Sequence, residues 1–403
     1  MQYRIDGKTG NKLSILGFGC MRFPRTRGRI DMGKSEAMVV DAVARGVNYF
    51  DTAYVYPGSE EAVGHILAKN GLREKIYLAT KLPLFMCKTR SDFDKFFNKS
   101  LERLKTNYID YYLMHMITTP EQWKVLCDMG IEKWIDGLRA EGKIRRLGFS
   151  FHGKREDFAG IVDARDWDFC QIQYNYLDIN NQAGRTGLRH AASKGIPVIV
   201  MEPLLGGRLA NGKELPAKAL NIMKEAGSGL TPAARALRWL WNHEEVTLLL
   251  SGMSRQSELD ENIATAEAMA APNILVEGEV EVIDNVIKAF NESNRIPCTG
   301  CGYCTPCPFG VNIPDCFSSY NMSYTLKMFA ALKKYVMATA ALTSKKGTAG
   351  TCTRCGKCEE HCPQSIPIRD SLKLVARRLE PFWFKAGISL ARVFTMTRAK
   401  KGH

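Results

Sequence analysis

The feature that most restricts the fold is a regular alternation of β-type runs and helical stretches through the first 290 residues. Eight short runs have the β-branched and aromatic content of buried strands. They are residues 15–19, 47–51, 75–81, 108–115, 143–150, 168–174, 196–202 and 246–252. Helical periodicity between them, as in residues 34–45 and 120–141, predicts eight βα units and therefore a parallel (β/α)8 TIM barrel.

A doubly wound parallel sheet is the alternative architecture for such an alternation. The glycines of the first strand form GFG (17–19) rather than a GxGxxG motif before a helix, which favours the barrel. Residues 1–14 precede the first strand, and KTGN (8–11) predicts a hairpin turn that covers the floor of the barrel.

Cysteines are concentrated near the end of the chain. Of 13 cysteines, nine lie between Cys298 and Cys362. Two runs stand out, CTGCGYCTPCP and CTRCGKCEEHCP, and the second has the C-x2-C-x2-C-x3-C-P spacing of bacterial ferredoxins. The first run has two residues rather than three before its last cysteine. The candidate ligands are Cys298, Cys301, Cys304, Cys307, Cys352, Cys355, Cys358 and Cys362.

These runs predict 4Fe-4S clusters. Two clusters are expected, and one is the minimum. Tetrahedral zinc also uses CxxC pairs and is the alternative, but two successive four-cysteine runs that each end in proline favour iron–sulfur. If the ligands cross over as in two-cluster ferredoxins, one cluster takes Cys298, Cys301, Cys304 and Cys362. The other then takes Cys352, Cys355, Cys358 and Cys307. Cys316 is predicted to be a buried bystander.

The chain therefore divides into three predicted parts. Residues 1–290 form the barrel and end in a helix at 272–290, and residues 291–297 (NESNRIP) form a polar joint. Residues 291–370 form a small, mainly helical, ferredoxin-like iron–sulfur domain, with a helical middle at 314–346. Residues 371–403 form a basic C-terminal tail that contains PFWF (381–384).

Positive charge is concentrated after the barrel. From residue 291 onward there are 17 Lys and Arg against 6 Asp and Glu, which is most of the net charge of +14. Clusters with thiolate ligands are net negative, so compensation of that charge is the simplest explanation. Contact with nucleic acid or a membrane surface is an alternative that we do not favour. Docking of an acidic redox partner, such as a ferredoxin or flavodoxin, is a third explanation of this positive charge.

The sequence predicts a cytoplasmic protein. No apolar run approaches the roughly 20 residues of a transmembrane span. The first residues, MQYRIDGKTG, lack the apolar core of a signal peptide. Clustered cysteines favour metal or redox chemistry in a reducing compartment over disulfides.

Polar residues follow the predicted strands at their carboxyl ends. Asp51 ends the second strand with Tyr56 five residues later, Lys81 ends the third and His115 ends the fourth. Such strand ends meet at one mouth of a barrel. Together the four can reduce a carbonyl: Tyr56 donates a proton, Lys81 lowers its pKa from ~10, Asp51 holds the lysine and His115 orients the oxygen. Taken singly, such a Lys or Asp is more often a solvated or ion-paired residue and such a His more often a core residue, and it is their occurrence at successive strand ends that favours a site.

Seven motifs resemble the aldo-keto reductases in order and spacing, over about residues 1–270. They are FDTAYVY (50–56), LATK (78–81), DYYLMH (110–115), GKIRRLGFS (142–150), QIQYN (171–175), PLLGGRL (203–209) and SGMSRQSELDEN (251–262). The resemblance implies a (β/α)8 barrel, a nicotinamide cofactor and a catalytic tetrad of Asp51, Tyr56, Lys81 and His115, with Tyr56 as proton donor.

The resemblance also implies contacts with the cofactor. They are Ser150, Gln171, Met201, Pro203, Leu204, Gly252, Ser254, Arg255, Glu258 and Asn262. This chain departs from the family where Phe151 and His152 follow Ser150 instead of Asn, and where Met201 replaces an aromatic residue. Gly252 and Glu258 align with positions that often bind a 2′-phosphate. A carboxylate there favours the free ribose of NADH over NADPH, although Arg255 could serve a phosphate.

The predicted function is hydride transfer between NAD(P)H and a small carbonyl or alcohol substrate, with accessory clusters. A nicotinamide moves two electrons together and a cluster moves one, and no flavin motif that could couple them is recognisable. The alternative is an iron–sulfur electron-transfer protein whose barrel is a docking platform. A regulatory protein with a vestigial barrel is a third hypothesis.

Overall fold

The computed structural model describes residues 1–210, 212, 215–293, 295–298, 300–325, 328–339 and 347–382. The chain folds into two compact units. The first comprises Met1–Leu204 and Leu230–Val280, and the second comprises Leu205–Gly229 with the described residues from Glu281 onward. The domain limits at residues 290 and 370 stay predictions, and each falls inside a helix. Residues 383–403, most of the predicted tail, lie outside the described residues.

A closed barrel of eight parallel strands forms the first unit, which confirms the predicted fold class, and each predicted run overlaps one of its strands. The strands are β3 (Leu16–Gly19), β6 (Tyr49–Asp51), β7 (Tyr77–Pro83), β8 (Ile109–Ile117), β9 (Ile144–Phe151), β10 (Phe169–Gln173), β11 (Val198–Met201) and β12 (Val246–Ser251). Neighbours along the chain are neighbours in the barrel, and β12 pairs with β3 to close it.

Two antiparallel hairpins accompany the barrel. They are β1 (Tyr3–Ile5) with β2 (Lys12–Ser14), and β4 (Arg25–Thr26) with β5 (Arg29–Ile30). The first confirms the hairpin predicted from KTGN. Leu13 of β2 packs in the buried cluster at the start of the strands, and Tyr111 donates a 2.8 Å hydrogen bond to Asp6 Oδ2. This hairpin therefore covers the floor of the barrel.

Helices follow the strands of the first unit. They are α1 (Met32–Ala44), α2 (Ser59–Lys69), α3 (Arg90–Leu104), α4 (Pro120–Asp128), α5 (Ile131–Ala140), α6 (Arg155–Asp163), α7 (Gly184–Ser193), α9 (Pro232–Trp241) and α10 (Gln256–Glu267). The helical stretch predicted over 120–141 is broken into α4 and α5. Gly130 adopts a left-handed conformation, with φ of 82°, which ends one helix and redirects the next.

The helix after the barrel is displaced from its prediction. Residues 272–290 are predicted as helical, but α11 spans Glu277–Ser293. It begins later because residues 272–276 form a turn and an extended segment. It ends later because the polar run after residue 290 continues the helix, so residues 291–293 of the predicted joint belong to α11.

The second unit is mainly helical, as predicted. It contains α8 (Ala217–Glu225), α12 (Ile313–Thr325), α13 (Met328–Ala338), α14 (Lys357–Glu360) and α15 (Ile368–Leu379). Phe317, Tyr335, Leu372 and Val375 are buried in one core, and Cys316 is buried among them as predicted. Residues 371–379, predicted as the start of the tail, therefore pack with this core as part of α15. Residues 340–346 of the predicted helical middle lie outside the described residues.

Within the described ranges, no helix has the length and apolarity that spanning a lipid bilayer would require.

Candidate functional site

A polar layer lies directly above the apolar floor of the barrel. Tyr49, Ala79, Leu113 and Phe169 belong to one buried apolar cluster. Asp51, Lys81, His115 and Gln171 each follow one of these residues by two positions on the same strand. Because alternate residues of a strand point to the same face, these four side chains also point into the barrel. The strand pattern thus collects three of the predicted catalytic residues and Gln171 at one level.

The ion pair of Lys81 and Asp51 is the centre of this layer. Lys81 Nζ lies 2.6 Å from Asp51 Oδ1, and the two side chains are 1% and 5% exposed. Lys81 also donates to the carbonyl oxygen of Thr52 at 2.8 Å. A buried charge needs a partner and hydrogen bonds, and the lysine has both. Its ammonium is therefore fixed in position.

Tyr56 and His115 lie above the ion pair. The Lys81 ammonium is 5.1 Å from the centre of the Tyr56 ring. The rings of Tyr56 and His115 are 6.3 Å apart and nearly perpendicular. The structure therefore brings the four predicted catalytic residues together, from the ends of β6, β7 and β8 and the loop after β6. Their roles remain predictions.

The pKa of Tyr56 is raised in this structure, in contrast to the lowering predicted from the neighbouring Lys81. Burial, followed by the carboxylates of Asp51 and Glu202, raises the pKa of Tyr56 well above its ordinary value. The prediction considered one neighbouring cation and omitted the surroundings. The cation that opposes the rise is Arg22, which follows β3.

Two histidines, not one, face the Lys81 ammonium. Burial, Lys81 and His152 hold the pKa of His115 well below its usual range. Burial and Lys81 lower the pKa of His152 to about 4. Both imidazoles are therefore neutral near pH 7 and can donate a hydrogen bond. His152 is not among the predicted site residues, and the signal for it is that Phe151 and His152 follow Ser150 in place of the Asn that the resemblance leads one to expect.

Two predicted nicotinamide contacts are engaged with the protein itself. The side-chain amide of Gln171 donates to Asp51 Oδ2 at 3.0 Å. The hydroxyl of Ser150 accepts a hydrogen bond from the backbone N–H of Met116 at 2.9 Å. Both residues lie at the mouth, so the structure groups them with the tetrad. Their contact with a cofactor stays a prediction.

The predicted adenosine-phosphate residues group around the start of α10. Glu258 accepts hydrogen bonds from the backbone of Ser254 and Arg255, and its carboxylate pairs with Arg255 at 2.8 Å. Although partial burial opposes them, these hydrogen bonds lower the pKa of Glu258. One turn later, Asn262 donates to the Ser251 hydroxyl at 2.9 Å. Arg255 thus has a carboxylate partner already.

The remaining predicted cofactor residues lie at the ends of two neighbouring strands. Met201 ends β11 and packs on the apolar floor cluster, with Pro203 buried and Leu204 half-buried just after it. Gly252 follows β12, and a Cβ there would be 3.0 Å from the side chain of Arg22. These residues border the same mouth as the tetrad.

The two cysteine runs begin with the same hydrogen-bonding feature. In each run the first cysteine, Cys298 or Cys352, accepts a 3.4 Å hydrogen bond on its sulfur from the backbone N–H two residues later. The donor residues, Gly300 and Arg354, both have positive φ, 71° and 63°. Amide hydrogen bonds to sulfur favour the thiolate that an iron ligand must be. The two runs therefore begin alike, before the position at which their spacing differs by one residue.

The thiols separate into two groups that mix the runs. Burial, then Cys301 and Cys362, raises the pKa of Cys298 to about 11. Burial, then the thiols of Cys298, Cys301 and Cys362, raises the pKa of Cys304 to about 12. In the other group, burial, Glu359, Cys352 and Cys307 raise the pKa of Cys358 to about 11. The last cysteine of each run therefore lies with the first cysteines of the other run.

The second group of thiols borders a cavity of about 280 Å³. Cys307, Cys352, Cys355 and Cys358 line it, and Cys304 of the first group also reaches it, with Tyr303, Phe309 and Val311 contributing apolar surface. Within the described residues, no three His, Cys, Asp or Glu side chains converge closely enough to share one ion. A cubane binds each thiolate through a different iron atom, so its ligands surround a volume and do not converge on a point. The donor set, its arrangement and the cavity all fit a 4Fe-4S cluster.

Comparison with known proteins covers both parts of the chain. Residues 15–273 match the aldo/keto reductase family, and residues 297–366 match a 4Fe-4S dicluster domain. L-galactose dehydrogenase of Arabidopsis thaliana is 28% identical, over 72% of this chain and 96% of that protein. An aldo-keto reductase of a Mycobacterium species is 29% identical, over 67% and 89%.

The structure agrees with these sequence matches. The holo form of aldo-keto reductase AKR11C1 from Bacillus halodurans superposes with a TM-score of 0.59 at 26% identity, over 72% of this chain and 97% of that one. The parallel barrel, the collected tetrad and the match over residues 15–273 lead to one assignment. The chain belongs to the aldo/keto reductase family and joins an oxidoreductase barrel of that type to a 4Fe-4S domain.

Proposed function

We propose that the barrel mouth transfers hydride between NAD(P)H and a small carbonyl or alcohol substrate. The observation that carries this proposal is the buried ion pair of Lys81 and Asp51 beneath Tyr56 and a neutral His115. A buried charge pair costs desolvation energy, so its presence beside two proton-handling groups suits a reaction that moves charge.

Each residue has a role in the proposal. The nicotinamide, when bound, supplies or accepts the hydride. Tyr56 holds its proton on the phenol oxygen, because its raised pKa keeps it protonated near neutrality, and that is the state a general acid needs. His115 donates a hydrogen bond that orients the substrate oxygen. Lys81, fixed by Asp51 and Thr52, offers a positive charge to the developing negative oxygen.

We propose NADH as the preferred cofactor. Glu258 places a carboxylate where a 2′-phosphate would be repelled, whereas a ribose diol can donate hydrogen bonds to it. Arg255, the nearest cation, is paired with that carboxylate at 2.8 Å. Binding the 2′-phosphate of NADPH would require this ion pair to separate, so binding NADH costs less free energy than binding NADPH.

We further propose two 4Fe-4S clusters with crossed ligands. The first site is Cys298, Cys301, Cys304 and Cys362, and the second is Cys352, Cys355, Cys358 and Cys307. The thiol groups described above support this division, and a bound cluster supplies one-electron chemistry. We also propose the cytoplasm as location, because such thiolate sites persist in reducing compartments.

Anaerobic purification with analysis of iron, sulfide, nicotinamide and flavin is the first experiment. Eight iron atoms per chain, the content of two cubanes, are expected. NADH oxidation is then followed with a panel of aldehydes, ketones and sugars. Sugars are included because one relative is named L-galactose dehydrogenase. Consumption that depends on a carbonyl and is lost in Tyr56→Phe supports the proposal.

Tyr54→Phe is the matched control, because Tyr54 packs on Phe96 and Arg103 instead of on the tetrad. We expect it to keep the activity. A Tyr56→Phe variant that equals the parent with every carbonyl would contradict the proposal and support a vestigial barrel.

A second candidate function is electron transfer to an acidic one-electron carrier, with the barrel as a platform. The observation that favours it is the second cysteine site, where Cys355 is exposed and Lys357 lines the same cavity. Bleaching of the cluster absorbance by NADH without any carbonyl would support this function. NADH consumption that requires a carbonyl and leaves the clusters oxidised would exclude it.

A further inference from the structure

We propose that Glu60 and Arg103 are positioning residues for the hydride transfer, because their ion pair ties the loop that carries Tyr56 to the strand that carries Lys81. The inference rests on the proposed function, since it takes Tyr56 as the proton donor. It deepens that function by giving an ion pair between two helices, α2 and α3, a part in setting the rate of the reaction.

Glu60 is attached to the strand of Lys81. It lies in the first turn of α2, and its side chain is fully buried. Glu60 Oε1 accepts a 2.7 Å hydrogen bond from the hydroxyl of Thr80, which is fully buried as well. Thr80 immediately precedes Lys81 on β7. A carboxylate of α2 therefore anchors the strand at the position next to the proposed active-site lysine.

Arg103 attaches the same carboxylate to the loop of Tyr56. Its Nη1 lies 3.2 Å from Glu60 Oε2 and also donates to the backbone oxygen of Tyr54 at 3.2 Å. The guanidinium carbon lies 4.5 Å from the centre of the Tyr54 ring, and Arg103 Nε lies 3.0 Å from Glu61 Oε1. Arg103 therefore anchors the loop two residues before Tyr56. Tyr54→Phe leaves these contacts in place, because it keeps the ring and the backbone oxygen.

Backbone hydrogen bonds hold Tyr56 within this loop. Its N–H donates to the Ala53 oxygen and its own carbonyl oxygen accepts from the N–H of Ser59, both at 3.0 Å. The Ser59 hydroxyl shares a 2.8 Å hydrogen bond with the hydroxyl of Thr52, and the backbone oxygen of Thr52 accepts from the Lys81 ammonium. The loop, the start of α2 and the lysine therefore form one hydrogen-bonded assembly.

The contact between α2 and α3 is close enough to require a glycine. A Cβ added at Gly64 would lie 2.2 Å from the backbone oxygen of Arg103. Side chains of a helix tilt toward its N-terminus, so Arg103, in the last turn of α3, extends back toward the mouth at which that helix begins. Close packing and this direction together bring an arginine from the far end of α3 to the loop of Tyr56.

The consequence for catalysis follows from the geometry of proton transfer. In the carbonyl-reducing direction, the carbonyl carbon accepts a hydride from NADH while its oxygen takes the phenol proton of Tyr56, which solvent then replaces. A displacement of a reacting group by about 1 Å can cost about 100-fold in rate. Glu60 is closed off from solvent, so it contacts no bound substrate or cofactor. Loss of the pair should therefore reduce kcat and leave the affinity for NADH unchanged.

The test uses the full-length protein, purified without oxygen, with a carbonyl compound that the parent reduces. Glu60→Gln removes the charge that pairs with Arg103, while Glu61 still faces the guanidinium. We expect kcat to fall about 10- to 100-fold. We also expect a larger solvent deuterium isotope effect on kcat, because transfer of the Tyr56 proton becomes slower relative to the other steps. The dissociation constant of NADH, measured by fluorescence titration, should stay within about twofold of the parent value.

Two further variants assign the effect. Arg103→Lys keeps the charge, but a lysine lacks the planar fork that reaches Glu60 and Tyr54 together, so it should reduce kcat as well. Lys99→Gln is the matched control, because it removes a cation from the same helix, where Lys99 pairs with Glu102 at 2.6 Å. It should behave as the parent. If Glu60→Gln does not fold, the same measurements on Arg103→Lys decide.

The outcomes separate this inference from the proposed function. A folded Glu60→Gln variant with the parental kcat would overturn the inference and leave the proposed function standing. A lower kcat with an unchanged solvent isotope effect, or with weaker NADH binding, would also overturn it, because such a loss reflects general damage to the barrel. A parent protein that reduces no carbonyl compound would instead refute the proposed function.

Discussion

The side-chain amide of Gln171 donates a hydrogen bond to one carboxylate oxygen of Asp51, while Lys81 occupies the other. The carboxylate is thus held from two sides, by β10 and by β7. A carboxylate with both oxygens engaged has little freedom to rotate, so the lysine that it anchors is fixed as well. The precision of the proposed active site depends on this arrangement.

Replacing Lys81 with methionine should destabilise the barrel by about 3–5 kcal/mol, because Asp51 then remains buried without its cation. Adding Asp51→Asn should recover a substantial part of this loss, since an amide carries no charge to bury. Chemical denaturation of the parent, both single variants and the double variant measures the coupling. Additive losses would show that the two side chains do not stabilise each other.

Stability should fall as the pH falls from about 6.5 toward about 4. The folded pKa of His152 is about 4, below the ordinary value near 6.5, so the unfolded chain binds more protons in this range. His115 contributes in the same direction. The His152→Gln variant should lose up to about 1.4 kcal/mol less per pH unit than the parent. Denaturant midpoints measured across this pH range test the prediction. Equal slopes of stability against pH in the parent and the variant would contradict the burial assigned to His152.

Paired cysteine substitutions should reveal the crossed ligand sets. Cys298→Ser with Cys362→Ser removes two ligands of one site, so about half of the iron should remain. Cys298→Ser combined with Cys307→Ser changes two cysteines of a single run, but it removes one ligand from each of the two proposed sites. Nearly all iron should therefore be lost. Iron and sulfide content after anaerobic purification distinguishes them. The reverse result would show that each run binds its own cluster.

A single methyl group should disturb the mouth at Gly153. An added Cβ there would lie 1.9 Å from the backbone oxygen of Thr118, so the loop that carries His152 must move. We expect Gly153→Ala to cost about 1–3 kcal/mol and to reduce carbonyl turnover. Gly137→Ala, in α5 with no atom within 4 Å of the new Cβ, is the control and should stabilise by about 0.5–1 kcal/mol. If Gly153→Ala and Gly137→Ala changed turnover equally, the loss could not be attributed to a displaced His152 loop.

The fold was accessible from sequence because buried parallel strands have a distinct composition, and all eight runs are strands. The grouping of the tetrad could be predicted from the sequence because the carboxyl ends of the strands meet at one mouth of the barrel. Helix limits were less accessible: Gly130 breaks a continuous helical pattern only because it adopts a left-handed conformation, which the pattern does not encode. The late start of α11 at Glu277 is a similar case.

Tertiary electrostatics could not be derived from the order of residues. The pKa of Tyr56 depends on burial and on Asp51, Glu202 and Arg22, and their distances to Tyr56 exist only in the folded chain. The hydrogen bond that Arg208 donates to the backbone oxygen of Cys298 joins residues ninety positions apart without a local signal. His152 was the exception, because its departure from the family motif was visible in the sequence.

The exchange of Cys307 and Cys362 between the two thiol groups has a consequence for biosynthesis. In the proposed ligand sets, the set with Cys307 is complete only at Cys358 and the set with Cys298 only at Cys362, so both need the second run. Cluster insertion would then be a late event in the synthesis of this chain, because each site needs ligands from both runs.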